Sequence, residues 1–237
     1  MIDLYQTEFE EEISLPIASP NEPHMACVLL VDTSGSMAGE PIASLNASIN
    51  RFKEQTSMDE MAKKRVDVAI IEFNSEARLV QDFMPISWMK PISLIASGLT
   101  SMGAGIHLAI DKVKERSHFY ASMGTPCFKP WIFMITDGGP TDEIETAIRK
   151  IHEEEEKGQH GKLKFFALGV PGYDKNTLFR ITKRVMELRD TDFSKIFNWI
   201  SESMVAISVS RVGEEAALGS LPENARKAAP DKDVSDW

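Results

Sequence analysis

The sequence predicts a doubly wound α/β domain, with a mostly parallel central sheet, one antiparallel edge strand and helices on both faces. Three observations carry that prediction. Short continuous apolar runs alternate with apolar stripes at helical spacing. Two of the runs end in an acid, Asp32 and Asp137. The stretches that follow those acids are rich in Gly, Ser and Thr.

Ala26–Val31 is apolar throughout, the pattern of a strand covered on both faces. Gly39-Glu40-Pro41 follows, with Pro where a first helical turn tolerates it, and then Ile42, Leu45, Ile49 and Phe52 at helical spacing. Val66–Phe73 reads as a second strand and Ala77–Phe83 as a third. The tight Asn74-Ser75-Glu76 turn makes this pair an antiparallel hairpin at one edge. Ile106, Ala109, Ile110 and Val113 mark a helix, and Trp131–Thr136 is another apolar run. Ile144, Ala147, Ile148 and Ile151 give a stripe that runs out into Glu153–Glu156, read as a solvated block. Leu163–Val170 is a strand, 177–184 a short helix and Val185–Leu188 a brief strand. The last helix carries Phe193, Ile196, Phe197, Ile200, Met204 and Ile207 on one face.

These elements place one domain at residues 25–210, between an acidic leader (1–24) and a mobile C-terminal tail (211–237). The net charge of −10 is unevenly spread. The leader holds six acids and no Lys or Arg, and residues 211–237 contribute −2, which leaves −2 for the body. No basic stripe exists to displace counterions from phosphates, so nucleic acid is not an expected partner. The leader lacks the basic start and apolar run of a secretory signal, and no stretch has the length of a membrane span. The expectation is a cytoplasmic protein without membrane contact. Cys27 and Cys127 form neither a zinc signature nor a disulfide framework and read as free thiols. His107 reads as structural, without a partner at zinc-ligand spacing, and His24, His118, His152 and His160 sit in polar or terminal contexts.

In a parallel sheet, ligands bind outside the carboxyl ends of the strands. Three oxygen-bearing loops are expected at that edge: Asp32-Thr33-Ser34-Gly35-Ser36, a D-x-S-x-S pattern; Gly98-Leu99-Thr100-Ser101-Met102-Gly103; and Thr136-Asp137-Gly138-Gly139-Pro140-Thr141-Asp142. Hydroxyls and carboxylates without sulfur or imidazole are hard ligands, suited to Mg²⁺ or another hard divalent ion. Taken alone, Asp32–Ser36 also fits a turn and N-cap before the next helix, Asp137 a strand-end turn, and Thr141 and Asp142 the caps of the helix after them. The evidence is the combination.

These three loops resemble the metal-ion-dependent adhesion site (MIDAS) of the von Willebrand factor A (VWA) domain, whose fold is Rossmann-like. The resemblance covers about residues 25–210 and implies a divalent ion, Mg²⁺ or else Mn²⁺ or Ca²⁺, at Asp32, Ser34, Ser36, Thr100 and Asp137. It further implies an open metal position that takes an Asp or Glu from a protein partner. The continuations DTSGSMAGEPI and TDGGPTD look most like bacterial stress-response members of the tellurite-resistance TerY and YegL type. That group implies a setting of tellurium or phage resistance, with a Ser/Thr kinase and a PP2C-type phosphatase as partners.

The leading functional reading is therefore a metal-dependent adaptor that is not an enzyme. An accessory subunit of an ATPase-linked chaperone machine is the alternative, and a Mg²⁺-dependent phosphohydrolase is disfavoured. Phosphoryl transfer wants a second acid where Ser34 stands and a Lys to neutralise phosphate, and the three loops contain no Lys. G-x-S-x-G and GxxxxGK[ST] are both missing. The stretch Glu8-Phe9-Glu10-Glu11-Glu12 adds a self-association reading, in which a leader carboxylate reaches the metal of a neighbouring molecule.

Overall fold

All eight residues of Met25–Asp32 (β1) are buried, and their side chains divide between two cores. Met25, Cys27, Leu29 and Val31 face one, and Ala26, Val28 and Leu30 the other. This is the period of two expected of a strand with both faces covered. The structure, a computed structural model, describes residues 16–156, 163–213 and 218–229.

β1 is an interior strand, third in a seven-stranded sheet ordered β3-β2-β1-β4-β5-β6-β7. The other strands are Val66–Phe73 (β2), Ala77–Pro85 (β3), Trp131–Thr136 (β4), Lys164–Gly169 (β5), Val185–Leu188 (β6) and Ala225–Lys227 (β7). The helices are Glu40–Met58 (α1), Ala62–Arg65 (α2), Met102–Ser122 (α3), Glu145–Glu156 (α4), Lys175–Ile181 (α5) and Ser194–Val209 (α6). Buried residues of α1 and α6 cover one face of the sheet, and those of α3, α4 and α5 cover the other. β1 pairs in parallel with both β2 and β4. The chain winds from β1 to β2 in one direction and from β4 to β5 in the other. A crevice is therefore left beyond the carboxyl ends of β1 and β4.

The sequence reading needs correction in several places. The sheet has two antiparallel edges, because β7 pairs with β6 as β3 pairs with β2. Residues 218–229 are thus not a mobile tail. Leu218 and Leu221 pack against the α1–α6 core, and Trp199 Nε1 donates to Gly219 O at 2.9 Å. The leader is shorter than 1–24, since Ile17 packs on the α3 side and Thr125 Oγ1 donates to Pro20 O at 2.8 Å. The Glu8–Glu12 stretch lies outside the described residues, as do 214–217 and 230–237. Glu154 is not solvated: it is buried and paired with Lys114 Nζ at 2.8 Å. The helix read at 177–184 is α5 and ends at Ile181.

His24, read as terminal and polar, is fully buried. Its Nδ1 lies 2.8 Å from Asp67 Oδ2, which also accepts from Arg116 Nη2 at 2.9 Å and from the Tyr120 hydroxyl. Arg116 bridges on to Pro16 O at 2.7 Å, and its guanidinium lies 4.9 Å from the ring centres of both Phe119 and Tyr120. This cluster ties the amino-terminal edge of β2 to α3 and to the chain before β1. Arg116→Met leaves a buried carboxylate without its cation and costs on the order of 3–5 kcal/mol. Urea unfolding should show the midpoint falling at unchanged slope; a variant as stable as the parent would contradict the assignment.

Candidate metal centre

The carboxyl ends of β1 and β4 bring the two strand-end acids together with the serines between them. Asp32 is fully buried. Its Oδ1 accepts from Ser34 N at 2.8 Å, which curls the first loop back over the strand end, and its Oδ2 accepts from Thr136 Oγ1 at 2.6 Å, which joins β1 to β4. Ser36 Oγ donates to Asp137 Oδ1 at 2.7 Å and lies 3.1 Å from Ser34 Oγ. Asp32, Ser34, Ser36 and Asp137, although 101 residues separate Ser36 from Asp137, thus form one cluster at the crevice.

The second loop is moored to both of its neighbours. Ser97 N donates to Thr33 O at 2.8 Å, and Gly35 N to Gly98 O at 3.0 Å. Gly98 has φ +75°, a conformation that residues with a side chain rarely adopt, and a Cβ there would stand 2.3 Å from Ser75 Oγ and displace that hydroxyl. Thr100 exchanges two bonds with Thr141: Thr100 N donates to Thr141 Oγ1 at 3.0 Å, and Thr141 N to Thr100 O at 2.9 Å. The Thr100 hydroxyl makes no hydrogen bond among the described residues. It is an uncommitted oxygen at the head of α3.

Thr141 and Asp142 are not caps of the helix that follows them. Asp142 Oδ1 and Oδ2 accept from Gly103 N at 3.0 Å and Ala104 N at 2.9 Å, so the third loop caps α3, the helix of the second loop. A carboxylate at a helix N-terminus satisfies otherwise orphaned amides and complements the helix dipole. A Cβ at position 103 would meet Glu143 O at 2.1 Å, and only glycine permits that approach. Glu143 caps α4 instead, accepting from Thr146 N at 3.1 Å. The turn-and-cap reading of Asp32–Ser36 also fails in part. The turn exists, but α1 starts at Glu40 with Gly39 as its N-cap. His107 is structural as read, with Nε2 3.1 Å from Thr146 Oγ1.

Electrostatics give the cluster its chemistry. Burial pushes the Asp32 carboxyl above its ordinary value; the bonds from Ser34 and Thr136 pull it back, and nearby Asp137 adds to the rise. Among the described residues no cationic side chain pairs with Asp32, whose two partners are neutral donors. A buried carboxylate with a second acid close by and only neutral donors is incomplete without a positive charge. The surrounding oxygens come from hydroxyls and carboxylates alone, so the donor set fits a hard divalent cation.

Thr136 was not singled out as a site residue in the sequence. Only its position opposite Asp32 across the β1–β4 pairing marks it, and that pairing is not visible in the chain order. Thr136→Val removes the donor that aims Asp32 while keeping the shape of the strand. Isothermal titration with Mn²⁺ should show affinity about 10- to 100-fold weaker, the usual cost of losing a group that orients a metal ligand. Affinity equal to the parent's would show that Thr136 has no such role.

The von Willebrand factor type A domain profile matches residues 27–199, which include the strand ends and all three loops. Among solved structures the chain resembles a von Willebrand factor type A protein from Catenulispora acidiphila (16% identity, TM-score 0.59, covering 78% of this chain and 43% of that one). It also resembles the pilus adhesin SpaC from Lactobacillus rhamnosus GG in its open conformation (13%, 0.63, 81% and 31%). A third is proximal thread matrix protein 1 from the mussel byssus, with a zinc-occupied MIDAS motif (19%, 0.54, 78% and 46%). The chain spans less than half the length of each, and identities this low speak for the fold alone. No curated protein matches the chain. With the profile covering most of its length and the sheet order agreeing, the chain belongs to the von Willebrand factor type A domain family.

Proposed function

We propose that this domain is a protein-binding module that captures an acidic side chain of a partner through a divalent cation. The observation that carries the proposal is the cluster itself: Ser34, Ser36 and Asp137 joined at hydrogen-bond distance above a buried Asp32 that has only neutral partners. Ser34, Ser36 and Thr100 would hold the ion through hydroxyl oxygens, with Asp32 and Asp137 balancing its charge and fixing the hydroxyls. Mg²⁺ or Mn²⁺ suits such an all-oxygen set, as does Ca²⁺. Bound there, the ion supplies an electrophilic position open to an anionic oxygen.

Capture rather than catalysis follows from what the loops carry. None of the three contains a Lys, His or Cys, and the carboxylates beside the hydroxyls, Asp32 and Asp137, are already engaged by donors of the loops and strand ends. The strand-end acid is bonded to Ser34 N and Thr136 Oγ1, which keeps it committed to the loops. Among the described residues no helix is long and apolar enough to cross a membrane. A finer reading, a bacterial stress or tellurite-resistance adaptor working with a kinase and a PP2C-type phosphatase, rests on the loop sequences DTSGSMAGEPI and TDGGPTD alone. Those two enzymes are the first partners to try, with the subunit of an ATPase-linked chaperone as the alternative setting.

The test uses beads carrying Gly-Glu-Gly or Gly-Gln-Gly peptides, in Mn²⁺ and in EDTA. The intact domain should be retained by Glu beads in Mn²⁺ only, and Ser34→Ala and Asp32→Ala should abolish both retention and Mn²⁺ binding. Absence of Mn²⁺ or Mg²⁺ binding in calorimetry, or equal retention on Gln beads, would sink the reading.

A further inference from the structure

The face that carries the hydroxyls also exposes two large aliphatic side chains, Ile95 at 78% and Leu99 at 61%. Both lie in residues 89–101, which form neither helix nor strand. The stretch is nonetheless held at many points. Asn46 and Asn50, one turn apart on α1, each clasp one backbone unit of it. Asn46 Nδ2 donates to Leu94 O at 2.9 Å, and Leu94 N donates to Asn46 Oδ1 at 2.8 Å. Asn50 forms the same pair of bonds with Ile92, both at 3.0 Å. Pinned at alternate residues, an extended run sends its side chains alternately in and out. Ile92, Leu94 and Ala96 pack against the α1–α6 core, while Ser93, Ile95 and Ser97 are exposed.

Those three outward side chains form one wall of a groove of about 580 Å³, and the β2–β3 turn forms the other through Asn74 and Ser75. The groove adjoins the metal loops directly. Ser97 N is bonded to Thr33 O, and Leu99 N to Ser75 Oγ of the opposite wall, so Leu99, which is not itself part of the lining, is tied beside the groove one residue before Thr100. The charged groups of the groove restrict what enters it. Arg78 Nε is already committed to Glu72 at 2.8 Å, and the exposed Glu76 carboxylate has no partner among the described residues. A second acid on the partner would meet Glu76 with no spare cation.

We propose that this groove is the second half of the binding site and takes the uncharged apolar side chain next to the partner's metal-bound carboxylate, against Ile95 in its wall and Leu99 beside it. The proposal rests on the acid-capture reading above and says which acids are captured: those flanked by Leu, Ile, Met or Phe. Two asparagines fix the exposed run during folding, so little ordering remains to be done on binding, and an apolar contact beside a polar anchor is where binding energy concentrates.

The probe is a panel of immobilised Gly-Xaa-Glu-Xaa-Gly peptides in Mn²⁺, with Xaa as Gly, Leu, Phe or Glu. Leu and Phe peptides should bind about tenfold more tightly than the Gly peptide, and the all-Glu peptide should gain nothing. The Ile95→Ser/Leu99→Ser double variant, altered only at exposed positions, should keep its Mn²⁺ isotherm and lose the tenfold preference. Leu and Gly peptides held within twofold of each other by the parent domain, or a preference that survives in the double variant, would overturn the proposal. If the Mn²⁺-loaded parent holds none of the peptides, acid capture itself fails and this proposal with it. That result differs visibly from loss of preference alone.

Discussion

The organisation of the metal face depends on the bond pattern of one buried carboxylate. Asp32 ends β1, an interior strand, with no solvent exposure, and its two oxygens are used for different tasks. One bends the first loop by accepting from Ser34 N; the other locks the neighbouring strand by accepting from Thr136 Oγ1. Ser36, carried by that bend, then reaches Asp137 one residue beyond Thr136. The second loop has its place because the first is fixed, through Ser97 N to Thr33 O and Gly35 N to Gly98 O. Position 32 is therefore the keystone of the crevice as well as a source of negative charge.

A second buried aspartate shows what is special about the first. Asp67, at the opposite edge of the sheet, is equally buried but accepts from Arg116 and Tyr120 and lies against His24. Its charge is answered within the chain, and the result is a structural tie between β2, α3 and the segment before β1. Asp32 receives only neutral donors and has Asp137 nearby, so burial raises its carboxyl. The same residue type, buried to the same degree, has a cation beside it in one place and lacks one in the other. That contrast separates the structural tie from the candidate metal site without appeal to motif.

Local signals made much of the fold legible. β1 and β4 are built on continuous apolar runs, the Asn74-Ser75-Glu76 turn announces the hairpin, and Asp32, Ser34 and Ser36 lie within five residues. What escaped has little or no local signature. β7 has three residues, of which one is buried, and becomes a strand only by pairing with β6. His24 looks like a lone polar residue because its partners Asp67 and Tyr120 are distant in the chain. Asp142 was assigned to the wrong helix because its nearest helix in sequence is α4, while the amides that it reaches belong to α3. Residues 92–97 show a strand-like alternation of burial without being a strand, because their backbone partners are the Asn46 and Asn50 side chains.

That last feature bears on how such a site can be selective. A metal ion that accepts any carboxylate discriminates poorly, since acids are abundant on every protein surface. The ion loops have little freedom to change: position 98 needs a glycine backbone, position 103 admits no side chain, and Thr100 is locked to Thr141. The neighbouring run has more freedom. Its fold depends on Asn46, Asn50 and the inward Ile92 and Leu94, so the outward residues at 93, 95 and 97 can vary without disturbing the core. The domain thus separates two tasks in space. On the proposed reading, the rigid crevice would supply a general affinity for acids, and the clasped run beside it a surface on which a particular neighbour of the acid is favoured.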